Sequence, residues 1–145
     1  MKKLLVLVAA VALFLPLAAV SASSPRTGDL HVTKNCKDYH GAAGEFCTIT
    51  SSNLNAIKAG SRVVYASAAG DPTPGMLDSD LVVDGPGNNA AFGHVVLTLT
   101  THTGVVTFTG GTGEFSHFRA GPIAVACPAL PDCSWDGPYG FSPRD

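Results

Sequence analysis

Val105–Ala120 reads VVTFTGGTGEFSHFRA. Alternating Val, Thr and Phe mark a strand, three glycines break it, and Phe115 and Phe118 bring apolar mass back after the break. The glycines could be mistaken for a phosphate loop. A dinucleotide fingerprint needs a third glycine where Ser116 stands, and a P-loop needs a lysine where Glu114 stands. No long helix follows to lend its dipole to an anion. Gly110, Gly111 and Gly113 are therefore read as a corner where the backbone turns and packs closely.

Outward from this corner the chain is punctuated by Gly, Pro and Asn at short intervals. Apolar residues between the breaks follow period 2 more often than 3.6, the pattern of an all-β domain. Eight strands are expected near 29–34, 46–51, 61–68, 77–84, 90–101, 104–109, 119–127 and 137–141. In 90–101 Val95, Leu97 and Leu99 share one face, and His94, Val96, Thr98 and Thr100 the other. Thr101–Gly104 reads as a tight turn, making a hairpin with the strand that follows. Residues 53–59 fit one helical turn or a loop. The stretches 71–75 and 85–89, rich in Pro, Gly and Asn, are loops. Eight short strands must hide their edges in a barrel or a sandwich, and pattern alone leaves both open.

Residues 1–22 have the three parts of a signal peptide: Lys2 and Lys3, an uncharged run from Leu4 to Val20, and the small-residue site Val20-Ser21-Ala22. The expectation is a secreted chain, with residues 23–145 as one domain and no membrane attachment after cleavage. Losing two lysines moves the net charge from −2 to −4. Lys58 is the last lysine, and only Arg62, Arg119 and Arg144 follow it as cations, so no basic patch for nucleic acid is expected.

Cys36, Cys47, Cys127 and Cys133 form an even set, which in an exported chain implies disulfides with three connectivities open. Short separation favours Cys36–Cys47 around KDYHGAAGEF and Cys127–Cys133 around PALPD. A zinc site is disfavoured, since there is no CxxC and no His at ligand spacing. Asp78, Asp80 and Asp84 share a strand face, but calcium needs about six or seven oxygens from converging loops. No metal and no cofactor are expected. A serine hydrolase lacks its G-x-S-x-G elbow, and no carboxylate pair suited to glycoside hydrolysis stands out.

Three segments together carry a family resemblance: SRVVYASAAG at 61–70, LDSDLVVDGPGNNAAFGHVVLTL at 77–99, and VVTFTGGTGEFSHFRAGPIAV from Val105, with WDGPYGF near the end. They resemble the allene oxide cyclase barrel-like proteins, which include secreted bacterial members and the plant dirigent proteins. The resemblance implies a single eight-stranded antiparallel β-barrel whose interior can hold a hydrophobic ligand. Relatives include oxylipin cyclases, Diels–Alder cyclases and dirigent proteins that steer phenol coupling. Their catalytic residues are not matched here one by one, and the dirigent motifs of the first strands are absent.

Two functional readings follow. The first is a non-enzymatic binding or interaction module for a small apolar ligand or a partner chain. The second is a cyclase or isomerase that folds a flexible hydrophobic substrate inside the lumen, working by positioning alone. A lumen of about 300 Å³ or more with a few convergent polar groups would favour small-ligand work. The sequence leaves oligomerisation open.

Tyr65, Asp80, His94, Thr98 and Arg119 are the polar groups expected to converge inside a barrel. In that site Arg119 would hold an oxyanion, His94 or Asp80 would move protons, and Tyr65 would stack on the ligand. One bulge would send His94 or Arg119 to the other face. Phe92, Phe108, Phe115, Trp135 and Tyr139 either line a pocket with Tyr65 or fill a core.

Overall fold

The computed structural model describes residues 26–143. The expected signal peptide at 1–22 lies outside the described residues. Eight strands follow in order: β1 (Thr27–Asn35), β2 (Phe46–Ser52), β3 (Arg62–Tyr65), β4 (Met76–Asp84), β5 (Ala90–Thr98), β6 (Thr103–Thr112), β7 (Phe118–Ala129) and β8 (Asp132–Phe141). Each pairs antiparallel with the next, and β1 pairs with β8 from Thr27↔Gly140 to Asn35↔Asp132. The sheet is a closed barrel, so among the described residues no strand is left with an unpaired edge. The choice between barrel and sandwich falls to the barrel.

Four boundaries differ from expectation by three residues or more, among them the end of β6, which runs through Gly110 and Gly111 to Thr112 rather than stopping at residue 109. β8 starts five residues early, at Asp132 rather than Gly137, because Trp135 and Ser134 pair with Val125 and Ala126 across a tight hairpin. β3 is only four residues long. The β5–β6 turn occupies residues 99–102, with His102 in the left-handed region at φ 56°.

The glycine corner is structural. A Cβ on Gly111 would lie 1.9 Å from the Ala90 carbonyl oxygen, and one on Gly113 would lie 2.1 Å from Asn89 Oδ1. The corner therefore seats directly on the β4–β5 loop. The Glu114 N–H donates to Asn89 Oδ1 at 3.0 Å and the Thr112 hydroxyl to the Asn88 carbonyl at 2.5 Å. This tucks the 3-10 turn Gly113–Phe115 under the barrel and buries Phe115 completely. Leu54 and Ile57, on the β2–β3 loop, are buried as well.

That half of the lumen is packed with rings. Phe118 lies 5.4 Å from Phe115, 5.6 Å from Phe108 and 5.3 Å from Phe141, and Phe108 lies 5.5 Å from Trp135. Tilted and edge-on contacts at these distances are the favourable aromatic geometries. Phe92 does not join them: it is largely exposed on the outer face.

Candidate functional site

The opposite end of the barrel is open. A cavity of about 420 Å³ lies there, where β1, β3, β5 and β7 end and β2, β4, β6 and β8 begin. Leu77, Val95, Leu97, Leu99 and Val125 give it an apolar wall. Its rim is built by the β1–β2 loop with Tyr39, His40 and Gly41, by His102, and by Leu130 and Pro131 of the β7–β8 turn.

The rim is held covalently. Cys36 is joined to Cys47 and Cys127 to Cys133, the expected pairing. All four cysteines line the cavity, and Cys36 Sγ lies 3.8 Å from Cys133 Sγ, so the two bridges touch. Such bridges fit an oxidising compartment. Glu45 adds a polar clasp by accepting the N–H groups of His40 at 2.6 Å and Ala42 at 3.0 Å. Those backbone bonds, that from Ala42 foremost, hold its carboxyl below the usual range.

Inside the cavity is a lysine. β1 alternates, and its inward positions are Leu30, Val32 and Lys34. Lys34 is 4 % exposed. Its Nζ donates to the Tyr65 hydroxyl at 2.5 Å and lies 4.7 Å from the Trp135 ring centroid and 5.3 Å from that of Tyr65. Among the described residues no carboxylate lies within ion-pairing distance of it. Lysines are almost never this buried unless paired. Burial disfavours the ammonium and brings the Lys34 pKa down from 10.5 to about 7. Burial likewise raises the Tyr65 phenol, with Tyr39 adding to the effect, so Tyr65 stays protonated. The Tyr39 ring leans on Tyr65 at 4.9 Å. The Tyr39 hydroxyl and the Trp135 indole N–H are buried without a hydrogen-bond partner among the described residues, which is uncommon in folded proteins.

The five residues expected to converge do not. Tyr65 alone lines the cavity. Asp80 and His94 pair across β4 and β5 on the outer face, where His94 sits between two carboxylates, 2.8 Å from Asp80 and 2.8 Å from Asp78. The His94 side chain is 48 % exposed. Thr98 shares its outward parity. Arg119 is exposed on the outside between the buried Phe118 and Ala120, and its guanidinium donates to the Phe118 carbonyl at 2.8 Å.

The reason is packing parity. Val95 and Phe118 are the larger apolar side chains of their local pairs, and they take the lumen. β7 does contain a bulge, where Gly121 and Pro122 face Thr107 between Val106↔Ile123 and Phe108↔Ala120. It lies after Arg119, so it reverses the parity of Ile123 and Val125 and leaves Arg119 outside.

Lys34 escaped the sequence reading although its signal was present. The alternation Leu30, Val32, Lys34 places it on the apolar face of β1. The chain matches no protein-family model, and no curated protein or solved structure matches it.

Proposed function

We propose that the protein is a secreted β-barrel that binds a small, mainly apolar molecule in its open end, without needing to transform it. The carrying observation is the asymmetry of the lumen: one half is filled by aromatic side chains, and the other is a 420 Å³ apolar cavity with Lys34 and Tyr65 as its inner polar groups. That volume lies within the range of small-molecule sites, which are apolar with a few placed polar groups. The crosslinked rim supports the reading, since a pre-ordered mouth lowers the entropy lost on binding. The apolar run at residues 4–20 and the two disulfides support export. Membership of the allene oxide cyclase barrel-like proteins belongs to this proposal, and the closed eight-stranded barrel is the architecture that resemblance implies.

Trp135 is the single tryptophan and lies against Lys34, so its fluorescence reports on the cavity. Titration with octanol should change Trp135 emission saturably and raise the melting temperature. A substitution that narrows the cavity without adding a second tryptophan, Val95→Phe, should abolish the change while the fold persists. Unchanged emission and melting with a range of apolar ligands would overturn the reading.

The Lys34–Tyr65 pair also keeps a catalytic reading in view. A phenol and an amine near neutrality at 2.5 Å can pass a proton to a substrate held above them. Multiple turnovers of a hydrophobic substrate, lost in Lys34→Met, would mark that outcome.

A further inference from the structure

We propose that Lys34 is a covalent anchor: its buried primary amine forms an imine with the aldehyde or ketone group of an apolar ligand seated in the cavity. The inference rests on the cavity being a ligand site and names the ligand class.

The lining of the cavity includes one amine, that of Lys34. Lys34 Nζ is at its inner boundary, over Trp135 and against Tyr65, with no carboxylate among the described residues to hold it as an ammonium ion. An amine attacks only in its neutral form, and desolvation in an apolar pocket is one established way to activate lysine. Here burial brings the pKa to about 7, so a large share is neutral at neutral pH. Lys37 and Lys58, the other lysines of residues 26–143, are exposed.

The ligand chemistry follows from the lining. A carboxylate ligand would carry its own charge into a mainly apolar site, and that desolvation is costly. A neutral carbonyl carries no such cost.

The step balances without a redox partner. The Nζ lone pair adds to the carbonyl carbon and forms the C–N bond. The C=O π pair moves to oxygen, which takes a proton. Nitrogen gives up one proton to leave the neutral carbinolamine; the hydroxyl then departs as water with the second N–H proton, and the nitrogen lone pair closes C=N. The Tyr65 hydroxyl, 2.5 Å from Nζ and kept protonated by burial, is placed to relay those protons. Tyr39, His40 and His102 are the other titratable groups lining the cavity.

The test uses the mature protein, octanal as probe and cyanoborohydride to reduce any imine, with octanol as the non-carbonyl control read by Trp135 fluorescence. Intact mass and peptide mapping locate the adduct. The expected result is one octyl adduct at Lys34, formed at least about tenfold faster than at Lys37 or Lys58 at neutral pH, where exposed lysines stay almost wholly protonated. Its rate should rise through about pH 7 and then level. Lys34→Met should lose the adduct while its thermal melt shows it folded, and Tyr65→Phe should slow trapping while Lys34 remains the modified residue. Octanol binding with no preference for Lys34 in the octanal reaction would overturn the imine and leave the binding site standing. Absence of both octanol binding and Lys34 trapping would overturn both. A folded Lys34→Met protein that is modified as fast as wild type would also overturn the imine.

Discussion

Lys34 Nζ lies 2.5 Å from the Tyr65 hydroxyl, across a sequence separation of 31 residues, with both side chains buried. Among the described residues neither group has a countercharge within reach, so the amine is held by one neutral hydrogen bond and the faces of two rings. Such an arrangement costs stability. Shifting a lysine from 10.5 to about 7 corresponds to something on the order of 5 kcal/mol as an upper bound.

Replacing Lys34 should therefore stabilise the barrel. The folded pKa is lowered, so between about pH 7 and pH 10.5 the unfolded chain binds more protons than the folded one. Stability should rise with pH across that window and flatten below it. Lys34→Met should gain roughly 1–3 kcal/mol at neutral pH, after the Tyr65 hydroxyl loses a partner, and should lose the slope. Denaturant unfolding over this pH window measures both.

The contact between the two disulfides makes a prediction about exchange. With Cys47→Ser, the Cys36 thiol is left 3.8 Å from Cys133 in the intact second bridge. A thiolate so placed attacks a neighbouring disulfide. Non-reducing peptide maps of this variant should contain a Cys36–Cys133 link with Cys127 free, increasing with pH. Removing both cysteines of the Cys36–Cys47 pair should cost about 2–4 kcal/mol.

The glycine corner should tolerate no side chain. Gly111→Ala sets a Cβ against the Ala90 carbonyl, a backbone atom that cannot swing away, and the loss should exceed about 2 kcal/mol. Gly44→Ala is the control: its φ is +84° but nothing lies within 4 Å of the new methyl. Strain alone should cost it about 1 kcal/mol. Thermal melts of the two variants would separate close packing from backbone conformation.

The outer-face trio should titrate and leave ligand binding alone. The hydrogen bond to Asp80, followed by Asp78, raises the His94 pKa. A raised histidine contributes stability below its unfolded value near 6.5, and the contribution is lost as pH rises through the folded value. At 48 % exposure that contribution should stay under about 0.5 kcal/mol. NMR titration of Asp80→Asn should show the His94 pKa fall, with octanol binding unchanged. Altered binding would bring this face back into the functional site.

The sequence by itself determined the features that depend on neighbours along the chain. Strand alternation made an all-β chain legible, and Gly110, Gly111 and Gly113 could be recognised as a corner because phosphate motifs need other residues at Glu114 and Ser116. The disulfide pairing was legible too, since each bridge closes a short loop. Only the tertiary structure decided which polar groups meet. Period 2 divides a strand into two faces, but closing β1 on β8 and setting the β7 bulge after Arg119 choose which face looks inward. Lys34, Tyr65 and Trp135 stand on three strands and touch only once the barrel closes. The cavity is less local still: it is the space left where aromatic side chains fill one end of the lumen and mostly smaller ones line the other, a difference of volumes summed over the whole barrel.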